Sequence, residues 1–312
     1  IIDLGGSYSK FARLYPNEHV ILNYEQGKSL GINPFYLASK DDLVPEHVEG
    51  LAEFLLELSA TGAKVTKVRQ VALKKLILEY YRHCAAPYSL EAFYYYLVGT
   101  LDNNELKANS TQNHFQLEEF LHILSEYVGE GMYSFLFESK EDQVYRLEDK
   151  RLIIFELDQV RDNKELLSVM LKLIKSAIQR TIWRNRSEKG MILFDEFAKQ
   201  LKFENVLESV EFYYQAIRKQ NGAIGIILQS INQLPDNSTS ASILENTQVI
   251  YSLHNEKGYQ PIIDRLKLSA HDSNQLNSIR NNLQAERPYT EFFLKIGKQR
   301  DRKSTRLNSS HQ

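Results

Sequence analysis

Asp195 and Glu196 close an apolar run, Met191-Ile192-Leu193-Phe194. Two adjacent carboxylates at the end of a buried strand can divide the work of hydrolysing a nucleoside triphosphate. The first holds the water shell of a magnesium ion, and the second polarises the attacking water. Both must sit at the C-terminal edge of a central strand, because ligands bind there in open α/β sheets. The plain alternative is a strand followed by Asp195 as a helix N-cap.

A second signal is Gln229-Ser230, which follows the apolar run 224–228. An amide at the end of a neighbouring strand is well placed to contact a terminal phosphate or the lytic water, or it simply marks a strand leaving the core. A third is Ile1-Ile2-Asp3-Leu4-Gly5-Gly6-Ser7-Tyr8, a strand ending in Asp3 with a glycine turn toward a helix. It lacks the glycine spacing and the Lys-Ser/Thr ending of a phosphate-binding P-loop, so a tight turn is the better reading. Gly27-Lys28-Ser29 imitates the end of a P-loop, but position 22 is Leu22 where that motif needs glycine. Pro34 also disfavours a helix at Asn33. The eight His residues are scattered, and the chain has one Cys and no GxSxG motif. Neither a metal cluster nor a nucleophile elbow is predicted.

The elements that must position these residues are legible as two alternating textures. Short apolar runs at 1–4, 20–22, 152–157, 191–194, 223–228, 249–253 and 292–296 read as strands buried on both faces, as in parallel sheets. Helix-like segments separate most of them, which predicts a doubly wound α/β fold. Between about 43 and 140 the apolar residues take helical spacing instead. Val68, Ala72, Leu76 and Tyr80 form one stripe; Leu117, Phe120, Leu121 and Leu124 form another. Tyr133 to Phe137 is the one segment there with any strand character, and the Phe93–Tyr96 aromatics read as helix core. Asp162-Asn163-Lys164-Glu165 resembles a capping box opening a helix near 164–184. The expected organisation is a discontinuous α/β core of 1–40 and 150–300, with an all-α insertion of 41–149.

The chain of 312 residues carries net charge -2, with 43% hydrophobic and 25% charged residues. This is a globular profile without the basic footprint of a nucleic-acid binder. Cys84 is the single cysteine, which suits a reducing cytoplasm. No apolar run approaches the roughly 18 residues of a membrane span. The chain opens on Ile1, directly in a strand, and reads as N-terminally truncated. Asp301 to His311, DRKSTRLNSSH, looks like the translation of a sequencing-adaptor oligonucleotide. Residues 301–312 are therefore expected to be a disordered tail.

In this order, the motifs resemble the P-loop domain of the TraG-type conjugation ATPases, relatives of the type IV secretion assembly ATPases. The matching stretches are IIDLGGSYSKF (1–11), GINPFYL (31–37), RLIIFELDQV (151–160), MILFDEFAK (191–199), QAIRKQNGAIGIILQSINQL (215–234) and SILENT (242–247). The resemblance covers nearly all of residues 1–300. It implies a RecA-like, mostly parallel sheet with an all-helical insertion subdomain. It implies ATP and Mg2+ as ligands, Asp195 at the magnesium shell, Glu196 activating water and Gln229 sensing phosphate. Arg218 and Lys219 fall in the family's basic pair, one of which could act as an arginine finger toward a neighbouring subunit; Arg280 and Arg287 are rival candidates. The family's P-loop lies upstream of the IIDLGGSY-like strand, so it should precede Ile1 by on the order of 20 residues. A homo-hexamer in the bacterial cytoplasm, docked on inner-membrane secretion-channel proteins, is the implied assembly. A DNA-translocating motor and a non-catalytic docking scaffold of the same fold remain open alternatives.

Overall fold

The computed structural model describes residues 1–25, 27–37, 39–60, 66–102, 115–138, 147, 150–160, 162–182, 187–201, 206–284, 286, 288–297 and 307–308. Five strands form the central sheet: β1 (Ile2–Asp3), β2 (His19–Asn23), β3 (Leu152–Glu156), β4 (Gly190–Phe194) and β5 (Gly222–Ile226). They are parallel and lie in the order β2-β3-β1-β4-β5. The registers β2 to β3 (Ile21 opposite Ile154) and β1 to β3 (Ile2 opposite Phe155) bring Asn23, Asp3 and Glu156 at the strand ends to one rim. The connections are helical, as parallel strands require. The chain divides into two compact units, Ile1–Ile192 and Leu193–Gln312.

In the first unit, α1 (Ser9–Ala12) follows β1. Between β2 and β3 every described element is helical: α2 (Pro45–Leu58), α3 (Lys67–His83), α4 (Leu90–Asp102), α5 (Leu117–Leu124) and short 3-10 turns. Leu117, Phe120, Leu121 and Leu124 are all buried, and so are Ala72, Leu76 and Tyr80. Val68 is exposed, because the buried stripe of α3 also uses the adjacent ridge of Leu73, Ile77 and Tyr81. The segment 133–137 is a 3-10 turn, Ser134–Leu136, and not a strand. An aromatic cluster fills this region. Phe35 is fully buried and meets Tyr80 at 5.9 Å and Phe93 at 5.3 Å between ring centroids. Asn33 fixes the approach: its Nδ2 donates to Tyr88 O at 2.7 Å, and its Oδ1 accepts from Phe35 N at 2.9 Å. The Tyr81 hydroxyl donates to Phe35 O at 2.9 Å.

After β3, α6 (Lys164–Ile182) is capped by Asn163, whose Oδ1 accepts from Leu166 N at 3.1 Å. The cap thus lies one residue after Asp162. Lys175 of α6 reaches between Glu53 and Glu57 of α2. Burial lowers the lysine pKa, but the two carboxylates outweigh it and hold it above its usual value.

The second unit contains α7 (Phe197–Gln200), α8 (Val206–Ala216), α9 (Ser238–Asn246), β6 (Val249–Leu253), α10 (Tyr259–Leu266), α11 (Ala270–Ser278), the short strands β7 (Asn281–Asn282) and β8 (Tyr289–Thr290), and β9 (Phe292–Ile296). All seven apolar runs form strands, and two of them lie outside the central parallel sheet. β6 and β9 pair with each other, antiparallel, as a separate two-stranded sheet. Tyr251 and Leu253 remain 69% and 65% exposed, while Phe293 faces a small core of Tyr259, Leu276 and Ile279. An apolar run fixes a strand but not its partner, and this pair buries one face only. β5 stands at an edge of the central sheet and is only partly buried. Most of the predicted tail, 301–312, lies outside the described residues. Its Leu307–Asn308 segment (β10) pairs antiparallel with β8.

Asp272, at the start of α11, forms an ion pair with Lys295 of β9; the carboxylate side chain is 11% exposed. Burial by itself would raise this carboxyl, but hydrogen bonds from Lys295 and Ser269 hold it below its ordinary value. A lowered acid pKa stabilises the fold above the unfolded value, and that contribution is lost as pH falls through the folded value. Asp272→Asn is therefore expected to cost about 1–2 kcal/mol at pH 7 in urea unfolding. The difference from wild type should shrink as pH drops below about 4. A difference independent of pH would exclude the ion pair as its source.

Candidate active site

The end of β4 is a tight turn built by its own side chains. Asp195 Oδ1 accepts from Glu196 N at 2.8 Å, and Asp195 O accepts from Gln200 Nε2 at 2.9 Å. Gln200 is fully buried, and its Oε1 has no hydrogen-bond partner among the described residues. Glu196 takes a left-handed backbone, φ 49° and ψ 39°. A glutamate holds this conformation at a cost of about 1 kcal/mol, and such residues cluster at functional sites. Lys199, one turn on, donates to Glu196 Oε2 at 2.5 Å. Glu196 is the N-cap residue of α7, yet no side chain caps that helix end. Asp195 therefore does not serve as the N-cap.

β5 ends beside this turn. Ile227 N donates to Phe194 O at 2.9 Å, and Phe197 N donates to Ile227 O at 3.2 Å. Asp195 and Glu196 thus fall between two residues hydrogen-bonded to Ile227, two positions before Gln229. The acid pair and the amide share one rim of one unit. Gln229 is exposed. Its backbone N and that of Ser230 both donate to Gln233 Oε1, at 3.0 and 3.2 Å. Ser230 and Gln233 form a reciprocal capping box on the 3-10 turn Ile231–Gln233. The Gln229 side chain makes no hydrogen bond among the described residues, and Asp195 Oδ2 and Glu196 Oε1 make none either. Two carboxylate oxygens and an amide are therefore available to a ligand.

The donor set suits a hard cation held through water. Mg2+ retains several waters and needs only one or two carboxylates beside the phosphates. Asp195 supplies one carboxylate oxygen that makes no hydrogen bond among the described residues. Among the described residues no three His, Cys, Asp or Glu side chains cluster closely enough to hold a metal ion directly.

The other candidates fall elsewhere. The backbone of Arg218 lies in the 3-10 turn Ile217–Gln220, and its side chain is outside the described residues. Lys219 is exposed in the same turn. Arg280 Nη1 donates to Asn277 O and Ile279 O, both at 2.9 Å, where it closes the end of α11. Arg287 is outside the described residues. Asp3 is buried and accepts from Gly5 N at 2.7 Å and Ser7 N at 2.6 Å. It closes a turn, with Gly6 at φ +66° where a side chain would be strained. No helix follows Gly27-Lys28-Ser29; Lys28 pairs with Glu25, and Ser29 Oγ accepts from Gly31 N at 3.0 Å.

Sequence reasoning missed Lys199, Gln200, Gln233 and Arg265. Ser230-Ile231-Asn232-Gln233 carries a capping-box pattern that could have identified Gln233. Lys199 lies at helical spacing from Glu196. Arg265 has no local signal. Its guanidinium reaches back about 30 positions to the carbonyls of Ile231, Leu234 and Pro235.

Among solved structures, the chain is similar to VirB4 of Thermoanaerobacter pseudethanolicus, with a TM-score of 0.59 and 18% identity over 98% of this chain and 80% of that one. It is more distantly similar to the bacterial conjugative coupling protein TrwBdeltaN70 in complex with sulphate (TM-score 0.44, 13% identity, 90% of this chain and 67% of that one). No curated protein matches it. The VirB4 likeness at this identity establishes the fold alone: a RecA-like α/β architecture with a parallel central sheet. The family model described as the TraG P-loop domain matches residues 1–311. With that match over almost the whole length, this chain belongs to the TraG P-loop domain family.

Proposed function

We propose that this chain is part of the ATPase domain of a bacterial conjugation or type IV secretion motor, whose ATP hydrolysis, in the full-length protein, powers assembly or transfer. The observation that carries the reading is the shared rim of β4 and β5. There, Asp195 and Glu196 stand beside the strand leading to Gln229, with two carboxylate oxygens and an amide that make no hydrogen bond among the described residues.

In this reading Asp195 holds a water of the magnesium shell through Oδ2. Glu196 orients the attacking water and takes its proton at Oε1. The left-handed backbone at Glu196 and the Lys199 contact keep the glutamate beside the strand end. Gln229 donates its amide to the terminal phosphate or to the lytic water. The ion, when bound, supplies charge neutralisation at the phosphate oxygens. Arg218 is the proposed finger toward a neighbouring nucleotide.

The discontinuous core of 1–40 and 150–300 and the helical insertion of 41–149 form the proposed domain plan. A homo-hexamer on the cytoplasmic face of the inner membrane, docked through channel proteins, is the proposed setting. No helix among the described residues is long and apolar enough to cross a membrane.

The sequence contains no GxxxxGK[ST] motif. Such a loop supplies the main cradle for the β- and γ-phosphates. This chain alone is therefore expected to bind ATP weakly, with Kd above about 1 mM, or −4 kcal/mol. Isothermal titration with magnesium and ATP checks this. Micromolar affinity would require a different phosphate site and would overturn the assignment of roles.

A further inference from the structure

The turn that carries Gln229 is held at both ends. At its start, Gln233 Oε1 accepts from the amides of Gln229 and Ser230. At its end, one guanidinium grips three carbonyls. Arg265 Nη1 donates to Ile231 O and Leu234 O, both at 2.8 Å, and Nη2 donates to Pro235 O at 3.1 Å. Ile231 O also accepts from Leu234 N at 3.1 Å, and Arg265 adds donors for the carbonyls of Leu234 and Pro235 where the 3-10 turn Ile231–Gln233 ends. A guanidinium offers several in a fixed planar fork, whereas a lysine offers one compact charge.

Arg265 is itself on a fixed base. It lies in the last turn of α10. Ile262 and Ile263 of that helix pack against Tyr259, Leu276, Ile279 and Phe293. The Arg265 side chain thereby links the helix that packs on the small core under β9 to the turn displaying Gln229. Within the turn, Asn232 and Gln233 are exposed and Leu234 is buried.

We infer that Arg265 is a positioning residue for hydrolysis. It fixes the turn 229–235 so that the Gln229 amide meets its target in one geometry, and it makes that geometry depend on the α10–α11 and β6–β9 elements. This rests on the reading of Gln229 given above.

Two measurements test it. The first uses this chain alone. Amide hydrogen exchange across 229–235 is compared in wild type, Arg265→Met and Arg265→Lys. Exchange in the Met variant should rise about tenfold or more, with the Lys variant intermediate and 249–253 unchanged. Wild-type exchange in the Met variant overturns the clamp. If that variant also loosens 249–253, the Lys variant decides: intermediate exchange supports the clamp, and wild-type exchange overturns it.

The second uses the full-length ATPase. Arg265→Met should lower kcat about tenfold with KM within about twofold, and combining it with Gln229→Ala should add no further loss. Fully additive losses overturn the positioning role, as does a change in KM alone. If Gln229→Ala by itself leaves kcat unchanged, the reading of Gln229 falls. The exchange result then decides the clamp alone.

Discussion

Glu196→Gln in the full-length protein is expected to abolish transfer while assembly persists, with ATP hydrolysis falling about 100- to 10,000-fold. The substitution preserves shape and keeps an oxygen that can accept from Lys199, so the turn after β4 should not move. What it removes is the carboxylate that takes the proton of the attacking water. Nucleotide affinity should stay within about threefold, because the phosphates and the hydrated cation are held by other groups. In free-energy form, the loss is about 3–5 kcal/mol of transition-state stabilisation with ground-state binding intact. Steady-state hydrolysis, equilibrium nucleotide binding and size-exclusion chromatography separate the outcomes. Unchanged hydrolysis and transfer would favour a docking scaffold of the same fold. A salt-dependent gel shift tests the rival DNA motor, whose phosphate contacts would weaken steeply with ionic strength.

Phe35→Ala should cost the first unit about 3–5 kcal/mol. The ring is fully buried among Tyr80 and Phe93. Its backbone is pinned by Asn33 and the Tyr81 hydroxyl, so the surroundings have little freedom to collapse into the cavity. Phe35→Leu should cost about 1–1.5 kcal/mol, since much of the apolar volume remains. Urea unfolding followed by circular dichroism provides the comparison. A loss below about 1 kcal/mol for the alanine variant would show that the cluster is loosely packed.

Most of the secondary structure was legible because its signals are local. Apolar runs of three to six residues announced the seven main strands, and helical spacing announced the helices between β2 and β3 through Leu117, Phe120 and Leu121. Asp195 and Glu196 were visible for the same reason, since adjacent carboxylates at a strand end form a short-range pattern. Pairing was not legible. Nothing in 249–253 distinguishes a strand of the central sheet from one that pairs antiparallel with 292–296, because partner choice depends on residues about 43 positions away. The supports of the site were hidden likewise. The Arg265 contacts span 30 to 34 positions, and the Asn33 contact with Tyr88 spans 55. Such contacts depend on topology, and local spacing carries no record of them.

The central claim is that the rim of β4 and β5 handles the terminal phosphate. Its most direct test is a structure of the full-length protein with magnesium and a non-hydrolysable ATP analogue. The account predicts Asp195 hydrogen-bonded to a water on the ion, Glu196 facing a water in line with the terminal phosphate, and the Gln229 amide within hydrogen-bonding distance of that phosphate or that water. A nucleotide bound with its phosphates away from all three side chains would contradict it.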